Sequence, residues 1–434
     1  MANYARCGRK KLCMNRRGIY CRVMKQLVLV FSLLVAPCLF NVRAANVSLG
    51  NEVLAQQKFK ALAGKRVGLI TNPSGVNSQL DSTIDVLRHA PGVKLVALFG
   101  PEHGVYGDAW AGDKVDSNTD PRTGLTVHSL YGKTHKPTAE MLKGLDVLVY
   151  DLQDTGCRSY TFISTMGVAM EACAENGVEF VVLDRPNPLG GERIEGRLVE
   201  KEQYRSFVSK WDVPYVYGLT CGELARMING EGWIKKKCKL TVIPLKGWKR
   251  SMVWRDTGLP WVPTSPHVPN DESALFQVAT GMIGEIGGAS TGIGYPLPFQ
   301  CVAAPGVDKH KLAETLNAYR LPGVKFVPVS YKPYYFSFSN QPIAGVQIYF
   351  TDPRRAPLTA INFYAMEALK KVAGRDLFDE AVRANKKFDM FDKVNGTDAT
   401  RQALQAGKSA AEIVASWCET EQAFRAKRRA YLLY

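Results

Sequence analysis

The sequence has no G-x-G-x-x-G after its first apolar strand and no Walker-type lysine loop, which removes the common cradles for dinucleotides and nucleoside triphosphates. Its ten cysteines include no C-x-x-C pair and are spaced too widely for a metal signature. Internal repeats and low-complexity tracts are missing, so a solenoid or a linker-like chain is excluded. Acid is missing from one place: residues 1–45 carry nine Lys or Arg and no Asp or Glu, so a formal net charge of +16 falls to +7 over the remainder. Charge concentrated in a leader is not a nucleic-acid footprint, and no nucleic-acid partner is expected. Leu27 to Ala36 is an apolar run of ten residues, about half of what a membrane span needs.

That leader has the shape of an export signal, a basic region and a short apolar core followed by small residues at Arg43-Ala44-Ala45. Met24-Lys25-Gln26 offers a more ordinary start. Cys38 follows Val35-Ala36-Pro37 as in a lipoprotein cleavage site, although proline beside the cysteine suits that processing poorly. The expectation is a signal over residues 1–45 and a soluble exported protein, periplasmic or secreted, with a lipid anchor at Cys38 as the lesser alternative. Outside the leader, Cys157, Cys173, Cys221, Cys238, Cys301 and Cys418 read mostly as small buried hydrophobes. With 434 residues and 46% apolar content, the chain can fill two domains without staples.

From Lys65 onward, apolar strands alternate with helical stretches. The strands are expected at Lys65 to Asn72, Val93 to Phe99, Leu125 to Leu130, Asp146 to Asp154 and Glu179 to Leu183, with helices at Ser82 to His89 and Thr161 to Glu175 between them. Such alternation implies right-handed crossovers and a mostly parallel, Rossmann-like sheet over residues 46–200. The texture changes after Glu200, and residues 201–434 are expected to form a smaller α/β (α+β) domain, with the active site in the cleft between the two. Trp248 to Trp254 and Trp261 lie in a proline-rich loop that suits either sugar rings or a core. Gly281 to Gly294 is glycine-rich and contains Glu285.

Three strands deliver polar clusters at their carboxyl ends: Glu102-His103 after Gly100-Pro101, Asp151 with Asp154, and Asp184-Arg185. Proline offers no N–H to a sheet ladder, so Gly100-Pro101 must end its strand there. In open parallel sheets ligands bind beyond the strand ends, and the loop Gly104 to Gly124 has too few apolar residues to be filler. Carboxylates with a histidine and two arginines, and no expected cofactor or metal, suit hydrolysis of a polar, anionic substrate. A glycosidase needs an acid for the leaving oxygen and, usually, a second carboxylate. Glu102 fits the first role. Asp151 and Asp154 either supply the second or hold Arg158 and Tyr160 in place, and each Asp–Arg combination reads equally as a structural ion pair or a substrate clamp.

The motifs Gly100-Pro101-Glu102-His103-Gly104, Ser129-Leu130-Tyr131-Gly132, Asp151-Leu152-Gln153-Asp154-Thr155-Gly156-Cys157-Arg158-Ser159-Tyr160-Thr161 and Asp184-Arg185-Pro186-Asn187-Pro188-Leu189-Gly190-Gly191 resemble, in order, those of the exo-β-N-acetylmuramidase family. The resemblance implies release of N-acetylmuramic acid from non-reducing ends of peptidoglycan fragments, without a cofactor, by a Rossmann-like domain and a smaller C-terminal one. It places the catalytic acid at Glu102; with it, the candidate catalytic residues are Glu102, His103 and Asp151, and the candidate substrate contacts are Asn72, Asp154, Arg158, Tyr160, Arg185, Asn187 and Glu285. Arginines lining the site would then meet the lactyl carboxylate. The chain departs from the family pattern at His267, where Asn is expected, and at Ser290-Thr291-Gly292-Ile293-Gly294-Tyr295, which lacks the family's Glu and Arg. The alternative function is a non-catalytic binding protein for cell-wall sugars.

Overall fold

Val67, Leu69, Ile70, Leu98, Phe99 and the run Val147 to Tyr150 are buried on both faces, as strands must be when helices cover both sides of a sheet. The computed structural model describes residues 47–385 and 387–434; the expected signal and the alternative anchor at Cys38 lie outside them. The first part contains α1 (Gly50–Gln56), β1 (Arg66–Thr71), α2 (Thr83–Arg88), β2 (Lys94–Gly100), β3 (Asn118–Thr119), β4 (Thr126–Ser129), α3 (Ala139–Leu142), β5 (Val147–Asp151), α4 (Phe162–Asn176), β6 (Glu179–Leu183), α5 (Cys221–Gly230) and β7 (Leu240–Ile243). These strands make one seven-stranded sheet in the order β3-β4-β2-β1-β5-β6-β7, parallel except for the short β3. Its seventh strand lies beyond residue 200, so the sheet continues past the boundary expected there. The changed texture after Glu200 is the irregular stretch between β6 and α5.

A smaller domain follows, built from α6 (Ser273–Ile286), β8 (Cys301–Ala304), α7 (Lys309–Ala318), β9 (Val324–Tyr331), β10 (Ile343–Phe350), α8 (Leu358–Ala373), α9 (Leu377–Arg383), α10 (Asp389–Asn395), α11 (Ala399–Gln405), α12 (Ala410–Ala415) and α13 (Cys418–Lys427). Its three strands form an antiparallel sheet in the order β8-β10-β9. Helix α6 takes in Gly281 and Glu285, part of the stretch read as a glycine-rich loop.

Helix α4 positions the site. It starts at Phe162, directly after Thr161, ends where Gly177 turns left-handed at φ 72°, and buries twelve of its fifteen residues. Each large apolar side chain so buried contributes about 1.5–3 kcal/mol, which fixes the helix start against the strand ends. Chain connections leave β1 toward β2 on one side, while β5 lies on its other side, so the crevice opens beyond the carboxyl ends of β1 and β5.

Candidate active site

Glu102 follows β2 directly and is 8% exposed. Its Oε2 accepts from the Thr161 hydroxyl at 2.6 Å, and its Oε1 accepts from the Gly112 backbone N–H at 3.0 Å. Thr161 precedes α4 but makes no side-chain cap, because its hydroxyl is given to Glu102. Tyr131 lies beside the same carboxylate: its phenol is pushed above its ordinary value first by burial and then by the Glu102 charge.

His103 turns the chain with φ +72°, a left-handed conformation that costs a side-chain-bearing residue roughly 1–2 kcal/mol. Its Nδ1 lies 2.8 Å from the Ala109 carbonyl. A carbonyl only accepts, so Nδ1 carries the hydrogen and Nε2 of the neutral ring keeps a free lone pair. Loop 109–112 is thus bonded to both members of the pair, at Ala109 and at Gly112. Across the site His267 sits close enough to His103 that its imidazole is held below the usual range, chiefly by burial and secondarily by that neighbour.

Asp151 is not available for catalysis. Arg185 grips it with Nε at 2.5 Å and a second nitrogen at 3.0 Å, the Thr83 hydroxyl adds a bond at 2.5 Å, and both partners are buried. The pair is a strut at the crevice, made through Nε and one terminal nitrogen of Arg185. Arg158 is spent: its guanidinium donates to the carbonyls of Arg197, Val213 and Val394 at 2.6–2.7 Å. Arg158, 1% exposed, offers no surface to a substrate carboxylate, whereas Arg185 keeps its second terminal nitrogen without a partner among the described residues.

Asn72 and Asn187 also work inside the protein. Asn72 donates to the Thr264 carbonyl at 2.9 Å and accepts from Ser74, while Asn187 bonds Leu219 and Leu189. Tyr160 meets the Thr264 hydroxyl at 2.6 Å, so Asn72 and Tyr160 together fix the loop that carries His267. Asp154 accepts from Gly156 at 2.7 Å and from the Tyr217 phenol, leaves Oδ1 unpartnered, and is pushed up to about 6 by burial. Glu285 keeps an exposed surface, yet the protein around it pushes its carboxyl up to about 7, the combination expected on the wall of a concavity.

Of the two readings of the aromatic loop, sugar contact or core, Trp248 and Trp254 take the second, at 4% and 5% exposed. A cavity of about 360 Å³ lies among Met366, Leu377, Phe378 and Leu404, and its one glutamate, Glu367, already accepts from Tyr319 and Ala410.

The geometry thus centres the expected group on Glu102 and His103 on a fixed loop, with Thr161, Tyr131 and Gly112 beside Glu102 and His267 beside His103. Two family models match the chain, the N-terminal part of the exo-β-N-acetylmuramidase NamZ over residues 67–272 and its C-terminal part over 277–434. The chain belongs to the exo-β-N-acetylmuramidase family. Among its relatives in that family is the peptidoglycan β-N-acetylmuramidase NamZ of Bacillus subtilis (strain 168), 45% identical over 388 residues that cover 89% of this chain and 91% of the relative. Two solved DUF1343 family proteins of Bacteroides fragilis NCTC 9343 share the fold. One is 49% identical with a TM-score of 0.83 over 90% of this chain and 100% of its own. The other is 29% identical with a TM-score of 0.67 over 89% and 99%.

Proposed function

We propose that this chain is an exported, exo-acting glycoside hydrolase that releases N-acetylmuramic acid from the non-reducing ends of peptidoglycan fragments, with Glu102 as general acid. The observation that carries the reading is the Glu102 carboxylate, held between Thr161 and Gly112 at the end of β2, in a chain of the muramidase family. In its acid form Glu102 gives its proton to the glycosidic oxygen as the bond from that oxygen to C1 breaks. The rest of the saccharide leaves as an alcohol. Water then supplies hydroxyl to C1, and its remaining proton restores the acid. The free Nε2 of His103 accepts from a substrate hydroxyl and orients the terminal ring. Export is supported by the basic leader with its short apolar core, and it would place the protein where peptidoglycan lies.

Purified protein incubated with a β-1,4-linked N-acetylmuramyl-N-acetylglucosamine disaccharide should release free N-acetylmuramic acid. Glu102→Gln should retain about 1% or less of the rate, the scale of losing a general acid. No release by the wild type, or equal release by the variant, overturns the assignment.

A further inference from the structure

Among the exposed large apolar side chains, two short segments stand out: Tyr106 and Trp110 after β2, and Tyr334, Tyr335 and Phe336 between β9 and β10. The two segments meet. The Trp110 ring is 5.6 Å from Tyr335 and 6.0 Å from His267, and His267 Nε2 lies 3.1 Å from the Tyr335 hydroxyl. Yet Trp110 remains 54% exposed and Tyr335 43%. Exposed aromatics gathered from separate segments leave apolar faces in water that a compact fold would otherwise bury.

Both walls are held in place. Trp110 lies between Ala109, which accepts from His103, and Gly112, which donates to Glu102, so its ring is carried by the loop bonded to the proposed acid. Tyr335 sits in a hairpin whose Tyr334 N–H bonds the Gly294 carbonyl at 2.7 Å. A Cβ at Gly294 would stand 1.9 Å from the Tyr335 carbonyl oxygen, so only glycine allows the hairpin to seat there. The segment that departs from the family pattern at Ile293 is therefore the seat of this second wall.

We infer that Trp110 and Tyr335, braced by His267, form an aromatic subsite for the sugar ring on the leaving-group side of the scissile bond. The inference rests on the reading of Glu102 as the acid of an exo-acting glycosidase. Glu102 is buried and the platform opens to solvent, so a terminal ring held at the acid leaves the rest of the saccharide only the outward direction. A pyranose ring has a face of C–H groups that packs on such rings, and N-acetylglucosamine is uncharged, which suits a platform made of aromatic side chains.

The test uses the full chain. In wild-type background, Trp110→Ala and Tyr335→Ala should each raise KM for the N-acetylmuramyl-N-acetylglucosamine disaccharide about tenfold, while the inhibition constant of free N-acetylmuramic acid stays within about twofold. Tyr349→Ala removes an equally exposed aromatic from β10 and serves as control, with KM unchanged. In Glu102→Gln background, calorimetry should show disaccharide binding that Trp110→Ala weakens by the same factor. An unchanged KM and binding constant in Trp110→Ala overturns the subsite, and a matching rise in the monosaccharide inhibition constant moves the platform to the other sugar and overturns the assignment to the leaving group. If the wild type does not cleave but the Glu102→Gln protein binds and loses binding with Trp110→Ala, the hydrolase reading falls and the platform stands.

Discussion

Asp151 and Glu102 look alike in sequence, an acid at the end of a buried strand, and the structure gives them opposite work. Asp151 is closed in by Arg185 and Thr83, whereas both oxygens of Glu102 are held by single donors from two different elements. Asp151→Asn therefore leaves the Arg185 charge buried without its partner, and should cost about 3–5 kcal/mol in denaturant unfolding. Glu102→Gln should keep its midpoint close to that of the wild type while losing activity. Equal midpoints for the two variants would show that Arg185 finds another partner. Asp154 titrates in a testable direction. Burial raises its carboxyl from 3.8 to about 6, so between those values the folded chain keeps a proton that the unfolded chain has released. Its contribution is full below about pH 4, declines as pH rises, and is gone above about pH 6. Asp154→Asn should flatten that decline, by roughly 2 kcal/mol between pH 4 and pH 7, when urea unfolding is followed at several pH values. A slope unchanged from wild type would mean that the carboxyl is not buried as described.

At the scale of elements, the strands around the site were legible because apolar runs ending in Gly-Pro or Asp are unambiguous. β2, β5 and β6 lie where the runs at Val93 to Phe99, Asp146 to Asp154 and Glu179 to Leu183 placed them, and their carboxyl ends share one edge. Helix α6 was hidden because Gly281 and Gly284 look like loop residues. In the structure their missing side chains let the helix approach Tyr215 and Thr291, where a Cβ at 281 would stand 3.1 Å from the Tyr215 hydroxyl. Thr161 and Gly112 stayed invisible as partners of Glu102 because loop closure, not strand pattern, brings them together. Gly167 offers an element-scale test. Alanine in a helix interior is ordinarily worth up to about 1 kcal/mol over glycine. At 167, however, a Cβ would stand 2.0 Å from the buried Trp211 ring, which already donates to the Ile163 carbonyl. Overpacking of this kind costs about 1–3 kcal/mol, so Gly167→Ala should lower the thermal midpoint despite its better helix propensity. A raised midpoint would show that Trp211 can move aside.

On the scale of the whole molecule, the last residues return to the first sheet. The Tyr434 hydroxyl donates to Asp184 at 2.7 Å and accepts from the Leu245 N–H at 2.8 Å, and its ring meets Trp248 edge-on at 5.1 Å. The Leu433 N–H donates to Glu223, and Arg226 holds the carbonyls of Tyr431 and Leu432. Just before them, buried Arg428 donates to Tyr217 and Gly218, the backbone leading into α5. The carboxyl ends of β6 and β7 are thus sealed by a residue 250 and 189 positions later in the chain. No sequence pattern announced this, because nothing in Tyr431-Leu432-Leu433-Tyr434 names a partner so far back in the chain. The consequence is mechanical coupling: the C-terminal residues supply one donor each to Asp184 and Glu223 beside the sheet that carries Glu102. Removing residues 431–434 strips one hydrogen bond from each of two buried carboxylates, each bond to such a charged group worth about 1.5–3 kcal/mol. That truncation should lower the denaturation midpoint by several kilocalories. The intact chain should unfold in one transition, with tryptophan fluorescence and far-ultraviolet circular dichroism coincident. Separate transitions, or a truncated chain as stable as the full one, would show that the sheet carrying Glu102 stands without its C-terminal seal.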